Sequence, residues 1–350
     1  MGTIKQGLGL QGGGVLGIWE AYALIAYLES DPVRSGKIEI EFVTGTSAGA
    51  VNGALLTYAL NKAKAEGLNG PEYAAKVLKD FWDDIIQQNE LAYWWDYANP
   101  STRDFANKGP HIPAMPLNVA VVDAFTQASG FHLSLLKRTL GSHIKPAEWR
   151  YVKNGPVAFY ANAVEEQPDG SLQPKLFTGK EIGINTVLAS CALRELGGHY
   201  VGHKLHYDGA YHANPNLDPV VDHKIDDLFI IKLHGKPSEF TSTQPRMLKE
   251  IDAGIVGVEV QHDILELMED PDRDYKVHGL CLEPGSGWSR KSRFFSTPNW
   301  LRWLAKDGYA QGKEWLELRQ NDFGVRDSYV EDNHPNTRGK TFRPADRRIA

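Results

Sequence analysis

Residues 41–53 read EFVTGTSAGAVNG, a strand-like run that meets the pattern GxSxG at Gly45-Thr46-Ser47-Ala48-Gly49 and then turns helical. A side chain thrown outward on a sharp strand-to-helix turn sits in a strained backbone position. Only residues with little or no Cβ bulk fit two places to either side of it. Ser47 is therefore the candidate nucleophile, and Gly45 and Gly49 are the glycines of its elbow. Glycine, serine and alanine are common, so five such residues need support from the chain around them.

Upstream, residues 4–10 read as a short strand ending in Gln11-Gly12-Gly13-Gly14-Val15-Leu16-Gly17, and residues 18–29 carry apolar side chains at helical spacing. Residues 38–43 are the second strand, which runs into the elbow, and the helix after Ser47 stops at Gly67. An amphipathic helix is expected over 71–88, then an irregular aromatic-rich cover over 90–118 and helical pieces over 119–126 and 133–140. A strand over 156–163 turns at Gln167-Pro168-Asp169-Gly170 into a second over 172–177. A short helix follows over 185–192, then strands over 204–207 and 226–233, a long helix over 247–268, a strand over 277–282 and a closing helix over 299–318. On that last helix Trp300, Trp303 and Leu304 share one face, the spacing of core packing.

Alternation of strand and helix predicts an α/β fold with a mostly parallel sheet. A single domain is expected over 1–320, with the motif-bearing core at 3–235 and its completion at 246–318. Residues 321–350 lose apolar periodicity and read as a loosely ordered polar tail.

Of 350 residues, 42% are hydrophobic and 23% charged, enough for a sizeable core. A net charge of −6 and the absence of Lys/Arg clusters in the first 330 residues argue against a nucleic-acid partner. Cys191 and Cys281 are far apart and form no CxxC spacing, so neither zinc nor a disulfide framework is indicated. With no signal-peptide pattern and no apolar run of roughly 18 residues, a cytoplasmic protein is expected.

The glycine loop has two chemical readings. Gly12 to Gly17 also satisfies GxGxxG, and Glu39 or Glu41 lies about 20 residues on, where a dinucleotide fold keeps its ribose-binding acid. In the other reading, consecutive glycine N–H groups at a helix start converge on developing negative charge and form an oxyanion hole. A serine also needs a base, and Asp208 in YDGAYHANP follows a strand and precedes a glycine turn, on a rim that Ser47 could share. A Ser-His-Asp hydrolase would use Ser47, Asp208 and then His212 or His223. His199, His203, His206 and Asp208 have a spacing that a metal could use, although polar loop histidines are more often solvated.

GGGxxG after one strand, GTSAG after the next and the later Asp208-Gly209-Ala210 turn together resemble the patatin-like phospholipase family. Ala189-Ser190-Cys191-Ala192 is similar to that family's ASxAxP segment, and Asn214-Pro215 to its NxP region. Leu16 stands where many members have Arg or Lys, Ala210 replaces the second glycine of DGG, and Leu193-Arg194-Glu195 replaces a Pro-containing run. The resemblance implies a three-layer α/β/α sandwich and a lipid acyl ester substrate, with neither cofactor nor metal. It implies Ser47 as nucleophile, Asp208 as its base without histidine, and Gly12, Gly13 and Gly14 as oxyanion donors. Transient contact with a membrane or lipid-aggregate surface would follow from such a substrate. The readings from another class remain a dinucleotide-binding oxidoreductase and a non-catalytic lipid-binding protein.

Overall fold

Strands β1 (Ile4–Leu10) and β2 (Ile38–Thr46) pair in parallel in the middle of an eight-stranded sheet. The computed structural model describes residues 2–88, 129–233, 264, 267–282 and 298–329. Within them follow β3 (Ala158–Glu166), β4 (Leu172–Thr178), β5 (His199–Val201), β6 (Lys204–Asp208), β7 (Asp227–Lys232) and β8 (Lys276–Cys281). The order is β5-β6-β3-β2-β1-β7-β8, with β4 paired to β3. All neighbours from β3 across to β8 are parallel, while β4, β5 and β6 run antiparallel to their partners.

Strand periodicity sorts the core onto two faces, because alternate side chains point to opposite sides. Val43, Phe229, Ile231 and Leu280 join the larger cluster with residues of helices α1 (Gly17–Leu28), α3 (Ala48–Glu66), α4 (Gly70–Gln88) and α8 (Pro298–Arg319). Between α1 and β2 lies the short α2 (Asp31–Arg34), and between α4 and α8 lie α5 (Ser129–His143), α6 (Trp149–Asn154) and α7 (Ile184–Ser190). Phe42, Leu228, Ile230 and Val277 face the other side and pack with Leu217, Val220, Ile264 and Met268. The sheet is covered on both faces, an α/β fold with a mostly parallel centre.

β1 spans the expected residues, and β2 runs three residues further than its β-branched core, so strand geometry persists up to Ser47. Gly67 closes α3 in the left-handed conformation (φ 70°), where a glycine carries no Cβ penalty. Trp300 and Leu304 are buried, and Trp303 stacks on Trp300 with ring centroids 5.3 Å apart. The strand β5 and the helix α6 were not foreseen. The expected cover over 90–118, the helix over 119–126 and most of the helix over 247–268 lie outside the described residues.

One boundary needs correction, since the polar tail does not begin at residue 321. Arg273 grips Asp327 with both guanidinium nitrogens, at 2.7 and 3.0 Å, and Asp327 also accepts the Val277 N–H. Ser328 and Tyr329 are buried, and Phe323 is 1% exposed among the rings of Tyr27, Phe229, Trp315 and His278. Sparse apolar residues hid this in the sequence, yet Phe323 and Tyr329 both land in the core, while Val325 stays exposed. Phe323→Ala should therefore cost about 3–5 kcal/mol, as for other fully buried aromatic truncations. Urea denaturation measures it, and a loss below about 1 kcal/mol would return residues 321–329 to the periphery.

Candidate active site

β3 positions the site by receiving two strands on one edge. Its residues 160–162 pair with both β2 and β4, so those two lie on opposite edges, and 163–165 pair with β4 and β6, which puts β6 on the β2 side. β2 runs parallel to β3 and stops with Thr46 opposite Asn162, while β6 runs antiparallel and stops with Asp208 opposite Ala163. The two strands thus meet end to end. Ser47 follows the end of one and Asp208 is the end of the other.

Ser47 has φ 54° and ψ −123°, and among the described residues no other non-glycine has positive φ. Such a backbone costs on the order of 1–3 kcal/mol and persists only where its surroundings enforce it. Here they do. A Cβ on Gly45 would lie 2.4 Å from the Gly49 carbonyl oxygen, and one on Gly49 would lie 2.2 Å from that of Leu10. The Ser47 N–H donates to the Ser190 hydroxyl at 2.9 Å, and that hydroxyl donates to the Asn162 carbonyl at 2.5 Å.

Asp208 is 1% exposed, accepts the Ala210 N–H on Oδ1 at 2.9 Å, and donates its own N–H to the Ala192 carbonyl at 2.7 Å. Cys191 follows Ser190 at the end of α7 and is half-buried. Its thiol is pushed up by desolvation first and by the charge of Asp208 second, while a hydrogen bond with Ser47 lowers it. The chain after Asp208 is fastened to the strand ends. Thr44 and Thr46 hydroxyls donate to the carbonyls of Asn216 and Ala213, and the Asn162 amide donates to those of Gly209 and Ala213.

The glycine loop lies directly on the elbow, because a Cβ on Gly12 would sit 2.6 Å from that of Ser47. The Gly12 N–H, expected to be an oxyanion donor, is already given to Asn214 Oδ1 at 2.6 Å, and Asn214 Nδ2 returns a bond to the Gly12 carbonyl. Gly12 is thus needed for close approach. Gly13 and Gly14 donate their N–H groups to no described residue, and Gly14 has φ 60°, a conformation that favours glycine. Leu16 is buried in the core.

The competing readings fare differently. Glu39 pairs with Lys5 in the strand register, and Glu41 lies in the bulge beside it. Both acids are thus at the opening of β2, the end away from the glycine loop, and they form ion pairs with Lys64 and Lys5. A ribose-binding acid would have to stand at the other end. His223 stacks on Phe42 and is bonded to the Tyr160 hydroxyl at 2.8 Å, well down the sheet from Ser47. His212 is exposed in the loop after Asp208, where its N–H donates to the Gly209 carbonyl. His206 is buried beside Glu165 and Phe177, and no group of three or more His, Cys, Asp or Glu fit for a metal occurs among the described residues.

A family model described as patatin-like phospholipase matches residues 8–221. Among solved structures, VipD from Legionella pneumophila is similar at 13% identity and a TM-score of 0.36, covering 89% of this chain and 66% of that one. The type III effector ExoU is similar at 14% identity and a TM-score of 0.31, covering 89% and 53%. ExoU in its heterodimeric complex with SpcU, from the type III secretion system of Pseudomonas aeruginosa, matches at 12% identity and a TM-score of 0.31, covering 89% and 52%. The chain thus spans about half to two thirds of the length of these structures. No curated protein matches it. Among the described residues no helix is long and apolar enough to cross a membrane.

Behind the glycine loop lies a carboxyl that sequence reading passed over. Glu20 on α1 is fully buried, and its Oε2 accepts from Asn52 Nδ2, which also donates to the Gly17 carbonyl, while Asn52 Oδ1 accepts the Trp82 indole N–H. Desolvation pushes the Glu20 carboxyl well above its ordinary 4.5, against the smaller opposing effect of its hydrogen bonds. The folded state therefore holds this proton more tightly than the unfolded chain does. Its stabilising contribution is complete below pH 4.5 and is lost as pH rises toward the folded value. Relative to Glu20→Gln, which cannot ionise, the wild type should lose melting temperature steadily from pH 4.5 upward. A difference in melting temperature that stays flat from acid to alkaline pH would show that Glu20 does not carry this proton.

Proposed function

The chain belongs to the patatin-like phospholipase family, and from that premise we propose that it is a serine acyl hydrolase acting on lipid acyl esters, with Ser47 and Asp208 as its catalytic dyad. The observation that carries this reading is the end-to-end meeting of β2 and β6 on β3, which puts a serine with positive φ beside a buried aspartate under a glycine loop.

In the first half-reaction the Asp208 carboxylate takes the Ser47 proton as the hydroxyl oxygen attacks the ester carbonyl. The carbonyl oxygen becomes an oxyanion, received by the N–H groups of Gly13 and Gly14. Collapse of the tetrahedral intermediate breaks the bond to the alcohol, which leaves with the proton held by Asp208. Water then gives a proton to Asp208 and attacks the acyl-serine; the fatty acid departs, and the proton returns to Ser47 Oγ. No histidine takes part. The substrate class is a phospholipid, lysophospholipid or acylglycerol, and reaching it involves transient contact with a lipid surface.

Ser47→Ala should abolish hydrolysis of a p-nitrophenyl acyl ester and labelling by a fluorophosphonate, and Asp208→Asn should remove nearly all turnover. His212→Ala and His223→Ala should keep their activity per folded molecule. Loss of turnover in either histidine variant would replace the dyad by a triad. Undiminished hydrolysis by Ser47→Ala would end the proposal.

A further inference from the structure

Asn162 and Ser190 touch neither the nucleophile's hydroxyl nor the aspartate's carboxylate by any bond described above, yet between them they hold both ends of the dyad. Ser190, at the last position of α7, is fully buried. Its hydroxyl accepts the Ser47 N–H at 2.9 Å and donates to the Asn162 carbonyl at 2.5 Å. It is therefore a relay from the backbone of β3 to the strained backbone of the elbow. Asn162 is also fully buried, and its amide Nδ2 donates to the carbonyls of Gly209 at 3.0 Å and Ala213 at 2.7 Å, with the Thr46 hydroxyl at 3.4 Å. Gly209 directly follows Asp208, and a Cβ there would lie 2.3 Å from the Asn162 carbonyl oxygen.

We infer that Asn162 and Ser190 are a pair of positioning residues that set the separation of Ser47 from Asp208, one fixing the elbow and the other the turn after the base. The inference rests on the dyad proposed above and goes beyond it. Three features separate this clamp from ordinary core packing. Both side chains are polar and buried; apart from Asn162 Oδ1, which has no partner among the described residues, their polar atoms bond to the backbone of Ser47, Asn162, Gly209 and Ala213. The Ser47 N–H, as part of a strained turn, has no ladder partner of its own and depends on Ser190. Asn162 occupies the one register position of β3 where β2 ends and β6 has not yet begun, so a side chain there reaches both strand ends.

A proton transfer that requires contact between two side chains on separate strands is sensitive to small shifts, and a misplacement of about 1 Å can cost about 10²-fold in rate. Ser190→Ala removes the relay, and Asn162→Ala removes the amide bonds to the turn while leaving the β3 carbonyl in place. Each variant should be counted by exhaustive fluorophosphonate labelling, and its turnover of a p-nitrophenyl acyl ester expressed per labelled site. The expected result is a per-site kcat lower by about 10²-fold, with KM within about twofold of wild type, because the lost interaction matters in the transition state. A purely structural role would lower the number of labelled sites and leave per-site kcat unchanged.

Unchanged per-site kcat in both variants overturns the inference. So does the absence of labelled sites in both, which assigns the pair to folding. If only one variant lacks sites, the other decides. A wild type that is neither labelled nor active, or a Ser47→Ala variant that still turns over, would instead strike the dyad itself.

Discussion

Two strands ending on the same edge of β3, Thr46 opposite Asn162 and Asp208 opposite Ala163, are the constraint on which the site depends. An edge of a strand offers one row of N–H and C=O groups, and parallel and antiparallel neighbours can share it only by stopping where they meet. The chain must leave the sheet at both stops, and departing backbone exposes groups that the ladder no longer satisfies. Side chains at the junction take over that task. Asn162 meets the carbonyls of Gly209 and Ala213, Thr46 meets Ala213 again, and Ser190 meets the Ser47 N–H. Polar residues buried at a sheet centre are costly unless paired, so their concentration at one junction marks where regular structure is interrupted for a purpose.

The elbow and the glycine loop are one packed unit. Gly49 lies on the carbonyl of Leu10, Gly12 on the side chain of Ser47, and Gly17 within 2.7 Å, as measured from an added Cβ, of the Ala48 Cβ. Each contact leaves no room for a methyl group, so α3 can start close against β1 and α1 close against α3. This proximity lets a loop from one βα unit overhang the serine of the next. Asn214 locks the arrangement from a third segment through its pair of bonds with Gly12. A glycine in such a loop therefore has one of two duties: Gly12 yields space, and Gly13 and Gly14 keep N–H groups unspent on described partners.

What was legible in the sequence follows the range of the interactions. The turn at Ser47, the stop at Gly67 and the strand at 4–10 are set by neighbours along the chain, and the reading found them. Asp208 stood out as a candidate because a strand end followed by Asp-Gly is a local pattern, and it does end β6. Its placement against Ser47 depends on β6 sharing an edge with β2, and pairing partners are not written in either strand. Asn162 is one polar residue in the otherwise apolar stretch 156–163 and Glu20 one acid in a mostly apolar helix, and nothing beside them in the chain marks either. Their roles come from what other segments bring to them. The run of glycines likewise does not reveal that Asn214, far along the chain, accepts the Gly12 N–H.

The structure also holds a Ser-His-Asp contact set away from the site, and it shows why such a set does not make a hydrolase. His278 lies 2.7 Å from the Ser328 hydroxyl through Nδ1 and 3.2 Å from Asp227 through Nε2. All three residues are fully buried, and Asp227 opens β7 beside Gln6, at the end of the sheet opposite Ser47. The Gly324 N–H also occupies its carboxylate. This serine is fully buried. It clasps residues 324–328 to the core. Ser47 differs by its strained turn, by the glycine loop above it and by its place at the carboxyl ends of parallel strands, where an α/β sheet opens a crevice. Residue types in hydrogen-bond reach are thus a weak criterion for a hydrolase; a reactive hydroxyl must also sit where charge can develop and be received.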